Sequence, residues 1–158
     1  MSSTGKKIAW ALLIVFLGMQ FIRPGRNEST GDHLETFFDE TQPPEPVAGL
    51  LKTSCFDCHS DHTEYPWYAA VAPVSYWLAD HIEDGKGHLN FSAWASYDAG
   101  EKDHKLEEVI ETVEEAEMPL PSYTWTHADA RLSDEQRQAV IEWARSARAV
   151  IQPSGRQE

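Results

Sequence analysis

The chain has 158 residues, enough for one compact domain with its own core and too few for two comfortable ones. It carries 26 acidic residues against 13 lysines and arginines, a formal charge of −13, which argues against nucleic acid as a partner. Its two cysteines lie in one short motif and leave none for a disulfide framework.

Residues 1–23 are predicted to form an uncleaved signal anchor, a transmembrane helix at the start of the chain. Lys6 and Lys7 precede an apolar run from Ile8 to Ile22, and no Ala-x-Ala cleavage site follows that run. Lysines ahead of the run favour a cytoplasmic N-terminus and an exported position for the rest of the chain. The run is long for a signal peptide and short for a membrane span, so a cleaved signal peptide and a buried core helix remain open alternatives.

Residues 24–46 are predicted to be a tether between the anchor and the globular part. Prolines and glycines punctuate this segment, and only residues 33–40 have the pattern of a short helix. The globular domain is then predicted over residues 47–152, with a C-terminal tail over 153–158. All 26 acidic residues but only nine basic ones follow Arg26, so the exported part has a formal charge of −17.

Cys55, Cys58 and His59 form a Cys-x-x-Cys-His motif, the arrangement by which a chain bonds covalently to haem and ligates its iron. The two thiols match the vinyl groups on one porphyrin edge, and His59 follows as the proximal iron ligand. A thioredoxin-like redox pair or half of a zinc site has the same cysteine spacing. However, no further cysteine completes a zinc site, and few strand-like runs support a thioredoxin fold. The motif therefore predicts one covalently bound haem c.

The apolar residues around and after the motif repeat at helical spacing, which predicts an all-α domain around the haem. The predicted helical faces lie within residues 47–51, 74–82, 106–113 and 133–151. The last helix begins with Ser133 and Gln136 as a capping box. Its buried face is expected to comprise Val140, Trp143, Ala144, Ala147 and Ile151.

Met118 is predicted to be the second axial ligand of the iron. It begins the sequence Met-Pro-Leu-Pro, whose prolines enforce an extended loop that can place a thioether against the iron. No other methionine is available to the domain, because Met1 starts the chain and Met19 lies in the anchor. The alternative is that Met118 fills a gap in the core. An iron with one histidine and one methionine ligand has a raised reduction potential, which is typical of an electron carrier.

Six further histidines compete for the same iron position. His62 is too close to His59 to reach the opposite haem face easily, and His33 lies in the tether. His81 sits on an apolar helical face and is expected to be a hydrogen-bonded core histidine. The histidines in polar surroundings, which are expected to be solvated, are His88, His104 and His127.

A set of longer motifs runs through residues 47–145. They are Cys55-Phe56-Asp57-Cys58-His59-Ser60, Tyr65-Pro66-Trp67-Tyr68, Ala72-Pro73-Val74-Ser75, His81, Gly87-His88-Leu89-Asn90-Phe91-Ser92-Ala93-Trp94, Met118-Pro119, Tyr123, His127 and Leu132-Ser133. Together they resemble the bacterial haem-binding domain family, found as membrane-tethered single-haem proteins, and the anchor exit at residues 20–24 is similar as well. The family implies covalent haem at Cys55 and Cys58 with His59 as ligand. The Met-Pro loop before a final helix also resembles class I cytochromes c, which implies a cytochrome c-like fold and supports Met118 by analogy.

Two functions follow from these predictions. The first is a membrane-tethered mono-haem c-type cytochrome, a one-electron carrier on the periplasmic side of a bacterial inner membrane, for which no catalytic residue is expected. The second is a haem enzyme or sensor, peroxidase-like or gas-binding, with an open sixth iron position and His81 or His127 acting on the ligand. The Met-Pro loop favours the carrier. The expected partners are the membrane, through the N-terminal helix, and a redox protein with a basic docking surface.

Overall fold

The computed structural model describes residues 3–29 and 33–151, and the regular structure of these residues is helical. The α-helices are α1 (Ser3–Met19), α2 (Glu35–Thr41), α3 (Glu45–Ser54), α4 (Phe56–His59), α5 (Val74–His88), α6 (Ala99–Glu114), α7 (Pro121–Thr124) and α8 (Asp134–Ile151). Short 3-10 turns lie at Trp67–Ala70, Phe91–Ser96 and Ala128–Ala130. Within the described ranges, strand-like pairing is limited to one isolated bridge between Glu28 and His62. The prediction of an all-α chain is confirmed, and the predicted tail at 153–158 lies outside the described residues.

The final helix, α8, turns its predicted face towards the core. Its residues at the predicted positions are buried, except the half-buried last one; they are Val140, Trp143, Ala144, Ala147 and Ile151. The predicted capping box is present, because the Gln136 N–H donates to Ser133 Oγ at 3.2 Å and the Ser133 N–H donates to Gln136 Oε1 at 2.8 Å. Local sequence signals therefore specify both the start and the buried side of this helix.

The helix α6 packs along α8 and completes the main helical pair. Its buried residues are Leu106, Ile110 and Val113, as the helical spacing predicts. Arg148 of α8 donates to Asp103 at 2.7 Å and to Glu107 at 3.1 Å, both on α6. These charge-assisted hydrogen bonds fix the relative register of the two helices.

The core begins before the domain boundary predicted at residue 47, because α2 contributes to it. Phe37 is fully buried, and its ring centroid lies 4.6 Å from that of Phe91 and 5.3 Å from that of Trp94. Residues 35–41, which the sequence assigned to the tether, are therefore part of the folded domain. A seven-residue helix with one aromatic pair is too short for its periodicity to reveal this packing.

The first helix, α1, lies outside the core, since none of its residues is buried. It has 17 residues and a length of about 25 Å. Its exposed side chains include Ile8, Trp10, Ile14 and Leu17. No helix among residues 3–29 and 33–151 is long and apolar enough to cross a membrane. The helix predicted within residues 1–23 is thus present, whereas a membrane-spanning anchor is not found.

Candidate functional site

The Cys-x-x-Cys-His motif lies in one helical turn directly after α3. Cys55 follows the end of α3, and α4 runs from Phe56 to His59. The backbone N–H groups of Cys58 and His59 both donate to the Cys55 carbonyl, at 3.2 and 2.9 Å. Phe56 is buried in the core, whereas Cys55, Cys58 and His59 are half-buried. The turn therefore leaves both thiols and the imidazole at the edge of the core, where a bound group can reach them.

The imidazole of His59 is held in the state that an iron ligand requires. Its Nδ1 lies 2.9 Å from the carbonyl oxygen of Leu89, just after α5. Because a carbonyl can only accept, Nδ1 carries the proton and Nε2 keeps its lone pair. Burial lowers the pKa of His59, so the ring is neutral at physiological pH. A neutral imidazole oriented by a carbonyl at Nδ1 is the usual form of a proximal histidine.

Both cysteine thiols are neutral and unpaired. Neither takes part in a disulfide. Burial raises the pKa of Cys55 to about 12 and that of Cys58 to about 11. A thioredoxin-like pair needs a cysteine with a lowered pKa. A structural zinc site needs four ligands, but in the described part of the chain no three His, Cys, Asp or Glu side chains are grouped to hold a metal ion. Both alternatives for the motif are therefore disfavoured.

A cleft opens beside Cys58, between the first half of α5 and residues 120–127. Its apolar and aromatic walls are formed by Pro66, Tyr68, Val74, Trp77, Leu78 and Leu120. Its polar lining is formed by Asp57, Thr63, Glu64, His81, Ser122, Tyr123, Thr126 and His127. The apolar repeat predicted within residues 74–82 thus serves mainly to line this cleft, although Ile82 is buried in the core.

The chemistry of the motif and of the cleft beside it fits a covalent haem. The motif offers two neutral thiols at the required spacing and a neutral imidazole, and the cleft offers aromatic walls that suit a porphyrin face. Of these three motif residues only Cys58 lines the cleft, because Cys55 packs against the core and His59 bonds to Leu89. The cleft encloses about 50 Å³, far below the roughly 300–1,000 Å³ of clefts that enclose a small ligand. A porphyrin would enter this cleft only if its walls separated.

Met118 is not among the residues that line this cleft. Its side chain packs against the hydrophobic core, as does that of Cys55. Its backbone N–H donates to the Thr112 carbonyl at 3.0 Å, and Ala116 at φ 59° turns the chain after α6. The structure therefore does not bring Met118 beside Cys58, and its assignment as an iron ligand stays a prediction.

Two histidines, by contrast, face the cleft. Nδ1 of His81 lies 2.9 Å from the Trp77 carbonyl oxygen, and the His81 and Trp77 ring centroids are 4.2 Å apart. His127 has the same arrangement. Its Nδ1 lies 3.1 Å from the Tyr123 carbonyl oxygen, and its ring stacks on that of Tyr123 with the ring centroids 4.2 Å apart. The expectations of a core position for His81 and a solvated one for His127 are wrong, since both are half-buried at the cleft. The sequence signal was an aromatic residue four positions before each histidine.

Comparison with known protein families decides between a haem site, a zinc site and a thioredoxin-like cysteine pair. The family model described as a haem-binding domain matches residues 14–146, well over half of the chain. The chain belongs to the haem-binding domain family. No curated protein and no solved structure matches it. The match begins inside α1 and ends inside α8, so the end of α1 and the segment before α2 belong to the family's domain.

In this haem-binding domain, Asp57 connects the motif to the opposite wall of the cleft. The hydroxyl of Tyr123 donates to Asp57 Oδ2 at 2.8 Å, and Asp57 Oδ1 accepts the N–H of Glu64 at 2.9 Å. Burial and the neighbouring Asp57 carboxylate raise the pKa of Tyr123, so its phenol remains a donor at physiological pH. The segment after Met118 is thereby joined to the residue between the two cysteines.

Tyr123→Phe is expected to lower the free energy of unfolding by about 1–2 kcal/mol, because it leaves a carboxylate oxygen without its donor. Urea unfolding measures this change. Tyr68→Phe, which removes a hydroxyl from the same cleft, is the control and is expected to stay within about 0.5 kcal/mol. Equal losses in the two variants would contradict a specific role for the Tyr123–Asp57 bond.

Gly85 allows α5 to approach the motif closely. A Cβ atom at this position would lie 2.9 Å from the Cys58 carbonyl oxygen and 3.3 Å from Cys58 Cβ. Gly85→Ala is therefore expected to lower the free energy of unfolding of the haem-binding domain by about 1–3 kcal/mol. Gly87→Ala lies in the same helix with nothing within 4 Å of its Cβ, and it is expected to be neutral or stabilising by up to about 1 kcal/mol. Urea unfolding compares the two, and a stabilised Gly85→Ala would contradict this packing.

Proposed function

We propose that this haem-binding protein is a mono-haem c-type cytochrome that carries one electron. Cys55 and Cys58 bind the haem covalently, His59 is the proximal iron ligand, and Met118 is the second axial ligand. The observation that carries the proposal is the bond between His59 Nδ1 and the Leu89 carbonyl, which orients the imidazole and fixes the proton on Nδ1. This imidazole directly follows a cysteine pair whose thiols are neutral.

When bound, the haem supplies an iron centre that gains and loses one electron. The chain contributes a rigid setting for that centre. Leu89 holds the His59 ring from the end of α5, while Gly85 brings the same helix against the Cys58 backbone. The apolar walls of the cleft exclude water from one side of the site, and the buried turn of Phe56 fixes the motif to the core. A rigid setting suits an electron carrier, because the protein around the iron then changes little between the oxidised and reduced states.

We further propose that the protein works at a membrane, with its domain on the exported, periplasmic side. The support is α1, whose large apolar side chains from Ile8 to Leu17 are 42–66% exposed. A continuous apolar surface of this kind marks an interaction site, and lipid is the partner that suits it. The formal charge of −17 after Arg26 supports a redox partner with a basic docking surface.

A second candidate function is a haem enzyme or sensor with an open sixth iron position. The observation that favours it is the presence of His81 and His127 at the cleft beside Cys58, together with the position of Met118 against the core. Each histidine has its Nδ1 next to a carbonyl and its Nε2 free to act on a small ligand or peroxide.

Carbon monoxide binding to the reduced protein tests the carrier against the enzyme or sensor. A methionine-closed iron is expected to bind carbon monoxide slowly, since the thioether must leave first. Rapid mixing at neutral pH measures the rate, with Met118→Ala as the open reference. Binding to the wild-type protein as fast as to Met118→Ala would overturn the carrier and favour the second function.

A further inference from the structure

The end of α1 is attached to the haem-binding domain and not to a free linker. The side-chain amide of Gln20 pairs with the backbone of Ala72, as Ala72 N–H donates to Gln20 Oε1 at 3.0 Å and Gln20 Nε2 donates to the Ala72 carbonyl at 3.3 Å. The same Nε2 donates to the Phe16 carbonyl at 2.8 Å, which satisfies an unpaired carbonyl of the last turn of α1. One side chain thus caps α1 and fastens it to the segment before α5.

Tyr76 makes a second attachment from the first turn of α5. Its hydroxyl lies 3.0 Å from the Met19 carbonyl and also within hydrogen-bond distance of the Ile22 carbonyl. These two oxygens belong to the end of α1 and to the turn that follows it. We call the hydrogen bonds that Gln20, Tyr76 and Asn27 make between residues 16–27 and the domain the latch.

Asn27 makes the third attachment of the latch. Its Nδ2 donates to the Ser60 carbonyl at 2.7 Å and to Thr63 Oγ1 at 2.9 Å, directly after the haem motif. Its backbone N–H donates to the Tyr65 hydroxyl at 2.8 Å, and its Oδ1 accepts from Lys86 Nζ at 2.8 Å. Every polar group on this side chain therefore has a partner in the domain. The first part of the predicted tether is fixed against the loop that leaves the motif.

We propose that the latch holds the haem-binding domain in one fixed orientation on the lipid surface with which α1 associates. The inference rests on the membrane attachment proposed above. A continuous chain of contacts connects α1 to the haem motif, because α5 begins at the latch and its Gly85 packs against Cys58. The tilt of α1 relative to the lipid thereby sets the tilt of the haem motif.

Two further observations support lipid as the surface beside the latch. Trp67 is 83% exposed and Val71 is 37% exposed, and both lie on the segment that leads to Ala72. Tryptophan is enriched where proteins meet the membrane interface. Arg23 follows α1 on the same stretch of chain, and a cation at this position favours anionic lipid headgroups. The domain edge next to the latch is thus suited to face the membrane.

Trypsin cleavage after Arg26 tests whether this segment is fixed. The haem-loaded full chain is placed in vesicles of phosphatidylethanolamine and phosphatidylglycerol, and the products are weighed by mass spectrometry. The wild-type chain is expected to resist cleavage, while Asn27→Ala is cleaved at least about tenfold faster, because local opening governs proteolysis. Gln138→Ala, an exposed glutamine that bonds only within α8 in the described chain, is the matched control. Wild-type cleavage as fast as that of Asn27→Ala would overturn the proposal.

Electron paramagnetic resonance of the ferric protein in oriented multilayers of the same lipids tests the orientation. The wild-type spectrum is expected to change strongly with the angle between the layers and the magnetic field. The Gln20→Ala/Tyr76→Phe double variant is expected to lose at least about half of this angular dependence, and Gln138→Ala none of it. A wild-type spectrum independent of angle, in a protein that stays with the lipid, would overturn the fixed orientation alone.

The other outcomes point to the proposed function instead. A chain that does not sediment with the vesicles removes the membrane attachment and the inference with it. If the chain sediments with the vesicles but has no haem signal, the proposal of a c-type cytochrome fails. The trypsin result then decides alone whether the latch is closed.

Discussion

Replacing Cys55 and Cys58 together by serine is expected to abolish covalent attachment of haem and to destabilise the domain strongly. The two thiols are the sole cysteines of the chain, so no other thiol can replace them. Without covalent attachment the haem would be held only by its two axial ligands and by a cleft of about 50 Å³. The free energy of unfolding is expected to fall by at least about 4 kcal/mol, the stabilisation lost when a ligand present at about 1,000 times its dissociation constant is removed.

Denaturing electrophoresis with a haem stain measures the covalent attachment, and urea unfolding measures the stability. Lys52→Ser, at an exposed position one turn before the motif, is the control and is expected to retain both. A double serine variant that still carries haem after denaturation would show that the attachment lies elsewhere.

Met118→Ala is expected to have the second largest effect, and its distinctive consequence is at the iron, beside the loss of packing against the core. Removal of the thioether favours the ferric state, so the reduction potential should fall on the order of 100 mV, within the range of about 0.8 V over which axial ligands set haem potentials. The thioether-to-iron charge-transfer band of the ferric spectrum should disappear. Potentiometric titration and the ferric spectrum measure these two changes.

His81→Ala and His127→Ala are the matched variants, because both histidines line the cleft. Each is expected to leave the charge-transfer band in place. If Met118→Ala leaves the spectrum and potential unchanged while one histidine variant alters them, that histidine is the second ligand, and the prediction from the Met-Pro loop is wrong.

The sequence was a good guide wherever the signal was local. The helical repeat within residues 106–113 and the capping box of Ser133 and Gln136 both depend on neighbours within a turn or two, and both are present. The motif at 55–59 is local as well, and it lies in one helical turn after α3. An all-α fold and a haem-binding family follow from these features.

The sequence was a poor guide to contacts between distant segments. Gln20 bonds to Ala72 across 52 positions, and Asn27 bonds to Ser60 across 33. Gln20 lies in the apolar run of the predicted anchor and Asn27 in the predicted tether, and neither position predicts such a partner. Residues 24–46 therefore read as a tether, although Asn27 is fixed to the loop after the motif and Phe37 is in the core.

In the candidate site, too, the local features were predicted from the sequence and the contacts between distant segments were not. His59 was predicted from the motif, and the structure adds the Leu89 carbonyl that orients it, 30 positions away. His81 and His127 reach one cleft only because α5 and residues 120–127 form its two sides. Their common environment depends on tertiary packing, which periodicity along the chain does not encode.

The most direct measurement is the intact mass of the full chain, produced in a host that attaches haem to exported proteins, together with extraction of its pigment. The expected result is the mass of the chain plus one haem, with a colour that stays with the protein in acidified organic solvent. A colourless protein, or a haem that leaves the chain in that solvent, would contradict covalent attachment at Cys55 and Cys58.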